Sequence, residues 1–403
     1  MRYGSGIVSF TRHFQVADIN DTGAKRYPHL FSPLRIDSLE LPNRCAVAPM
    51  TRTSAGEDGV VTDQIANYYA RYARGGFGLI ITEGMFTDTR YSQGYYQQPG
   101  IATEAQAAAW QPVVDGVHAA GGAIVAQLMH AGAQSQYNAY ADENAAPIAR
   151  APYGTTATIY HGDDEPYATP KAMTETDIIE MIDGFVASAK NAMQAGFDGI
   201  ELHAANGYLL DEFITDYFNT RDDDYGGPLG NRLRVIRQVI TAVRDAVGTD
   251  YCVGIRLSQI KVTDSDHRWA SAEDAATIFS TVAAAGVSYI HVTGAGATEP
   301  AFSETGPSLA ELAHEHGGVA VITNGALHDA QTAEAQIASR GAHVVAIGRG
   351  ALVNADWPAR MANGQDQTEF DKDMLQPLAT LDNQAEWEAG RDDIFEPLAK
   401  HRT

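Results

Sequence analysis

The chain is expected to fold as a single closed (β/α)8 barrel, with an N-terminal extension and a long capping loop after the third strand. Three observations predict this. Short β-branched runs alternate eight times with longer amphipathic runs. The strand runs are apolar throughout, as in a parallel sheet covered on both faces. The rival α/β arrangement is an open dinucleotide-binding sheet, and its usual G-x-G-x-x-G opening does not occur in the sequence.

Strands are expected over 44–50, 78–83, 123–128, 199–203, 252–257, 289–293, 320–324 and 344–347. Helices are expected over 62–73, 103–119, 174–195, 233–247, 272–285, 308–316, 329–339 and 355–362. Gly121, Gly196, Gly286 and Gly341 stand between a helix and the next strand, where glycine suits a left-handed helix stop. Residues 1–27 form an extension without clear periodicity, 28–362 the barrel, and 363–403 an acidic, irregular tail packed on it. The stretch 131–173 is too long for a plain βα connection and reads as a binding loop or lid.

Bulk composition narrows the function. Acidic residues outnumber basic ones 51 to 28, for a formal charge of −23. Such a surface repels nucleic acid and anionic membranes, so neither is an expected partner. No run approaches the roughly 18 apolar residues of a membrane helix. The first residues lack a continuous apolar segment, so a cytoplasmic enzyme is expected. The two cysteines, Cys45 and Cys252, lie in apolar strand runs and read as buried core thiols. No metal is expected: Asp264, Asp266 and His267 read as a solvated loop, and His314 and His316 as complements to a helix end.

In this fold the active site forms at the C-terminal ends of the strands. Strand one ends at Pro49, Met50 and Thr51, strand two at Glu83 and Gly84, and strand three carries Gln127. Strand four runs into His203, Asn206 and Tyr208, and strand five holds Arg256. Strands seven and eight run into Asn324, Gly325, Gly348 and Arg349, where such barrels commonly bind phosphate. His203 and Asn206 can both donate to one carbonyl oxygen and stabilise charge developing there. Tyr208, a phenol with a solution pKa of about 10, can hand a proton to the neighbouring carbon. A buried Arg256 requires an anionic partner, either a ligand or a carboxylate such as Glu201 or Glu83. The Gln127 amide needs donors and acceptors, which a pyrimidine-like edge or backbone would supply.

Seven motifs lie in order: L-P-N-R-C-A-V-A-P-M-T-R (41–52), G-L-I-I-T-E-G (78–84), A-Q-L-M-H-A-G (126–132), G-I-E-L-H-A-A-N-G-Y-L-L-D-E-F (199–213), R-D-D-D-Y-G-G-P-L-G-N-R (221–232), G-I-R-L-S (254–258) and A-I-G-R-G (346–350). Together they resemble the Old Yellow Enzyme family of FMN-dependent ene-reductases. Thr51 in place of Cys, and Asn206 in place of His, fit the branch that includes bacterial maleimide and nitroester reductases.

The resemblance implies tightly but non-covalently bound FMN, with NADPH or NADH as hydride donor. It implies that Pro49, Met50, Thr51, Gly84, Gln127 and Arg256 contact the flavin ring, Thr51 near its O4 and N5 and Arg256 near N1 and O2. Gly325, Gly348 and Arg349 would hold the phosphate, with Asn324 beside them. His203 and Asn206 would hold the carbonyl of a small electrophilic alkene, such as an enone or maleimide, while hydride leaves flavin N5 and Tyr208 supplies the proton. A flavin-dependent dehydrogenase or demethylase of one metabolite is the alternative, and a phospho-ligand sensor is the non-enzymatic one. The chain is expected to act as a monomer or homodimer.

Overall fold

The eight β-branched runs become eight parallel strands that close on themselves in a computed structural model of the protein. The structure describes residues 16–135 and 170–401, apart from 217, 262–265 and 295, and the backbone of Ile148–Ala149. The barrel strands are β1 (Cys45–Val47), β2 (Leu79–Ile81), β3 (Ala123–Met129), β4 (Gly199–Ala204), β5 (Cys252–Ser258), β6 (Tyr289–Thr293), β7 (Ala320–Asn324) and β8 (Val344–Ile347). Each pairs in parallel with the next, and β8 returns to β1, with Ala346 beside Ala46.

Register places the chemistry. Gln127 lies beside Glu201, and His203, Arg256 and His291 lie side by side across β4, β5 and β6. Strand side chains alternate in facing, so these residues share the barrel interior with every second residue below them. That interior is packed by Ala46, Leu79, Ile81, Val125, Tyr289 and Ile322, and is plugged by Ile36, Leu39 and Leu41 from an antiparallel hairpin, Leu34–Ile36 with Leu39–Leu41. The alternate residues, such as Ile80, Ile124, Ile200 and Ile290, pack outward against the helices. Gly254 shows how tight the interior is. A Cβ there would fall within the Tyr289 ring. Gly254→Ala is expected to destabilise the barrel by about 1–3 kcal/mol through overpacking, read as a lowered denaturation midpoint.

The surrounding helices are α1 (Asp63–Arg74), α2 (Glu104–Ala119), α3 (Glu175–Gln194), α4 (Arg234–Val247), α5 (Ala272–Ala284), α6 (Leu309–Gly317), α7 (Ala330–Ala338) and α8 (Trp357–Asn363). Thr103 and Gln106, Thr174 and Asp177, and Ser308 and Glu311 form reciprocal caps at the starts of α2, α3 and α6. Each supplies acceptors to N–H groups that the first helical turn cannot satisfy.

Several expectations are corrected in detail. β1 is shorter than 44–50, because Pro49 has no N–H to continue a ladder. After α7 the left-handed residue is Arg340 (φ 62°) rather than Gly341, because the helix stops a residue earlier than expected. The tail is not irregular. It holds a 3-10 turn, Lys372–Leu375, and a helix, Leu381–Glu388, whose N–H groups are capped by Thr380. That helix is set by docking on the barrel, a tertiary effect which a short, polar sequence does not reveal. Residues 136–147 and 150–169 of the expected lid lie outside the described residues, while Ile148–Ala149 pairs in parallel with Lys171–Ala172. From the extension, Val16–Gly23 is a helix whose Ile19 is buried.

Among the described residues no helix is long and apolar enough to cross a membrane, and no cluster of three or more His, Cys, Asp or Glu is placed to hold a metal. Cys45 and Cys252 are buried and unpaired, and burial raises both thiols, Cys252 to about 12.

Candidate active site

The strand exits open into a trough of two adjoining cavities, one of about 720 Å³ and one of about 270 Å³. Pro49, Met50, Arg256 and Arg349 line both. The larger adds Asn324, Gly325 and Gly348, and the smaller adds Thr51, Gly84, Gln127, His203, Asn206 and Tyr208. Apart from Glu83, every site residue expected from the sequence therefore lines one of these two cavities, and four line both.

The larger cavity sits where β7 and β8 end. Gly325 has φ 148°, and a Cβ on it would strike the Gly294 carbonyl and the Ala297 N–H, so only glycine lets these two backbone segments pass this closely at the cavity edge. The Asn324 side chain bonds to three neighbours. Its amide donates to the Ala346 carbonyl at 2.8 Å, and its oxygen accepts from Thr293 Oγ1 at 2.9 Å and from Arg256 at 3.4 Å. It fastens β6, β7 and β8 together at the edge of the larger cavity. Arg349 is exposed, beside the Phe370 ring. Phe370 belongs to a strap held by Asn354, which accepts from the Thr368 N–H at 2.8 Å and donates to its carbonyl at 2.9 Å.

Beneath the trough lies a polar layer. The Glu201 carboxylate accepts from Gln127 Nε2 at 2.7 Å, His291 Nδ1 at 2.8 Å and the Tyr289 hydroxyl at 3.1 Å. Burial by itself would raise this carboxyl, but His291, Arg256 and Gln127 outweigh it and hold it below the ordinary range. Burial lowers His291, while Glu201, 2.8 Å from its Nδ1, pulls it the other way. Gln127 meets the Glu201 carboxylate through its amide Nε2. Among the described residues no carboxylate lies within 4.0 Å of Arg256, whose Nε is buried without a partner.

The smaller cavity carries the β4 exit. Asn206 and Gly207 are both left-handed, φ 63° and 85°, which turns the chain sharply before the helix Leu209–Ile214. His203 is buried, and its pKa falls well below the ordinary value because of burial and the neighbouring Arg256 and His291. It is therefore a neutral donor at physiological pH. Its ring packs edge-on to Tyr208 at 4.9 Å, and its buried Nδ1 has no partner among the described residues.

Two contributions escaped sequence reasoning, and a third residue, Glu83, was expected at the end of strand two but without the role it has. Tyr95, from the segment after β2, hydrogen-bonds hydroxyl to hydroxyl with Tyr208. Leu375 and Ala379, from the tail, complete the cavity wall. Glu83 accepts the Arg52 and Thr53 N–H groups at 2.8 and 3.0 Å and so fixes the turn that carries Thr51. No local pattern marks Tyr95, Leu375 or Ala379, since each is brought in by the fold.

Glu83 also yields a pH prediction. Burial raises its pKa from 4.5 to about 7, against the pull of the Arg52 and Thr53 N–H groups. A raised carboxyl favours the folded state when protonated. Its contribution is complete below pH 4.5 and is lost as pH climbs through about 7. Relative to Glu83→Gln, the native protein should lose about 3 kcal/mol of stability between pH 4 and 8. Urea titrations at both pH values measure this, and parallel curves for the two proteins would refute it.

The profile of the NADH:flavin oxidoreductase / NADH oxidase family matches residues 29–368. A chanoclavine-I aldehyde reductase from Penicillium roqueforti is 34% identical over 347 residues, covering 85% of this chain and 91% of that protein. An Old Yellow Enzyme homologue from Zymomonas mobilis superposes with a TM-score of 0.77 at 30% identity, over 85% of this chain and 94% of that one. Morphinone reductase in complex with tetrahydroNAD superposes with a TM-score of 0.74 at 32% identity, over 85% and 93%. The chain thus belongs to the NADH:flavin oxidoreductase / NADH oxidase family, the family of the Old Yellow Enzyme.

Proposed function

We propose that the protein uses NADPH or NADH and FMN to reduce activated carbon–carbon double bonds, such as those of enones and maleimides. The observation that carries this reading is the meeting of a neutral His203, Asn206 and Tyr208 on one wall of the smaller cavity.

The residues present fit FMN. The buried Arg256 Nε lacks a partner among the described residues beside a cavity of about 720 Å³, and Gly325 lines that cavity. Gly325, Gly348 and Arg349 would hold the phosphate, where glycine backbone and a guanidinium suit an anion. Arg256 and Gln127 would hold the pyrimidine edge, and Pro49, Met50, Thr51 and Gly84 the flank of the ring. Bound FMN supplies the hydride chemistry, passing on electrons from the nicotinamide. The tetrahydroNAD complex of morphinone reductase supports a nicotinamide nucleotide as reductant.

The protein's part is to hold and to protonate. His203 and Asn206 donate to the carbonyl oxygen of the acceptor and stabilise the negative charge that grows there as the β carbon is reduced. A neutral imidazole binds this oxygen without giving up its proton, so protonation falls to Tyr208 at the α carbon. Tyr95, bonded to Tyr208, stabilises the phenolate that is left until solvent restores the proton. Leu375 and Ala379 present apolar surface to the rest of the substrate.

The test is to purify the protein, measure its visible absorbance with and without added FMN, and follow NAD(P)H oxidation with cyclohex-2-enone. A yellow protein that consumes the enone supports the reading. A colourless protein that gains no bound FMN overturns it.

A further inference from the structure

Directly behind the substrate-gripping turn lies a buried ion pair that the proposed mechanism does not use. Lys261 and Asp211 are both fully buried, with Nζ 2.6 Å from Oδ1. Lys261 lies three residues past the end of β5, and Asp211 is in the helix that follows Tyr208.

The contacts of this pair lead to the turn. Lys261 Nζ also donates to the Ser258 carbonyl at 2.9 Å. Asp211 Oδ2 accepts the Gly207 N–H at 2.8 Å. Ser258 Oγ accepts the Asn206 N–H at 2.8 Å. Both N–H groups belong to the consecutive left-handed residues. Such backbone is costly, above all for the non-glycine Asn206, and persists only where its surroundings over-determine it. Two buried acceptors hold it, and Lys261 ties those acceptors together across the gap between β4 and β5. A buried ammonium placed so needs its carboxylate partner, and that requirement fixes the distance between the two strand exits.

We propose that Lys261, paired with Asp211, is a positioning residue that fixes the Asn206 amide in the orientation that grips the acceptor carbonyl. This rests on the reading of Asn206 given above. The strut predicts a separable defect. Breaking it should loosen the grip on the carbonyl while leaving the phosphate end of the trough, at β7 and β8, intact. Both ends of the strut act through the same turn, so their effects should not add.

The test uses the FMN-loaded protein and cyclohex-2-enone, with the enone dissociation constant read from the perturbed visible spectrum of the bound flavin. Lys261→Met and Asp211→Asn should each raise that constant about tenfold, an effect equivalent to 1.4 kcal/mol by the standard conversion. The double variant should be no worse than the weaker single. FMN affinity should stay within about twofold of native. Ser258→Ala, which deletes one oxygen and keeps the strand, should raise the enone constant similarly, and it decides the matter should a strut variant not fold. Unchanged enone affinity in a variant that keeps its FMN overturns the strut, as does an additive loss in the double variant or an equal loss of FMN. Native protein that binds the enone without turning it over overturns the proposed function instead, and the dissociation constants still decide the strut.

Discussion

Tyr208→Phe should lower enone turnover by about 10²–10⁴-fold, the usual worth of a positioned general acid. Reduction of the bound flavin by NAD(P)H should be nearly unchanged, because that half of the cycle needs no proton from Tyr208. The substitution removes one oxygen and leaves the ring against His203, where the centroids are 4.9 Å apart. Substrate binding through His203 and Asn206 should therefore survive, and the loss should appear in kcat rather than in KM. Rapid mixing that separates the two half-reactions measures this. Equal slowing of both would remove Tyr208 from the donor role. Tyr95→Phe makes a useful companion. Its hydroxyl touches that of Tyr208 and does not by itself sit in the gripping turn, so a smaller loss is expected.

Much of this site was legible in the sequence, for a definite physical reason. A parallel barrel puts the ends of its strands at one mouth, so residues scattered from Pro49 to Arg349 can be gathered by the rule that strand exits converge. Thr51, Gln127, His203 and Arg256 all follow that rule. What the rule cannot provide is pairing. Whether Arg256 or Gln127 meets Glu201 depends on the register between β3, β4 and β5, and no local pattern encodes that register. The same holds for Lys261 and Asp211, 50 residues apart, and for Glu83, whose partners are the N–H groups of Arg52 and Thr53. Tyr95 sits in a loop, where neither hydrophobic period nor strand end marks it. The tail was hardest to read, because its helix exists through contacts more than 300 residues away in sequence, such as that between Arg71 and Glu388.

That contact supports the largest stability prediction. Arg71 and Glu388 are 1% and 0% exposed, with Nη1 3.0 and 3.1 Å from the two carboxylate oxygens. The carboxylate also accepts from Gln384 Nε2 and the Leu398 N–H, both at 2.6 Å, and the guanidinium lies over the Tyr68 and Tyr72 rings. Burial acts to strip the charge from Arg71, but Tyr72 and Glu388 outweigh it and raise its pKa. Arg71→Met leaves Glu388 charged and buried with only neutral donors, so about 3–5 kcal/mol of stability should be lost, as when one partner of a buried pair is removed. The sign for the double variant is different. Arg71→Met with Glu388→Met removes both charges and fills the space with apolar atoms, so it should be more stable than Arg71→Met alone. Urea unfolding of the FMN-loaded proteins at pH 7 tests both statements. A double variant less stable than the single would mean that the pair contributes attraction beyond its desolvation cost. The position of this pair also ties stability to chemistry. The helix Leu381–Glu388 hangs from it, and Ala379, just before that helix, is both cavity wall and acceptor for Arg52 Nε at 3.1 Å. As Arg71→Met is warmed, enone turnover should therefore fail at a lower temperature than the far-ultraviolet circular dichroism of the barrel.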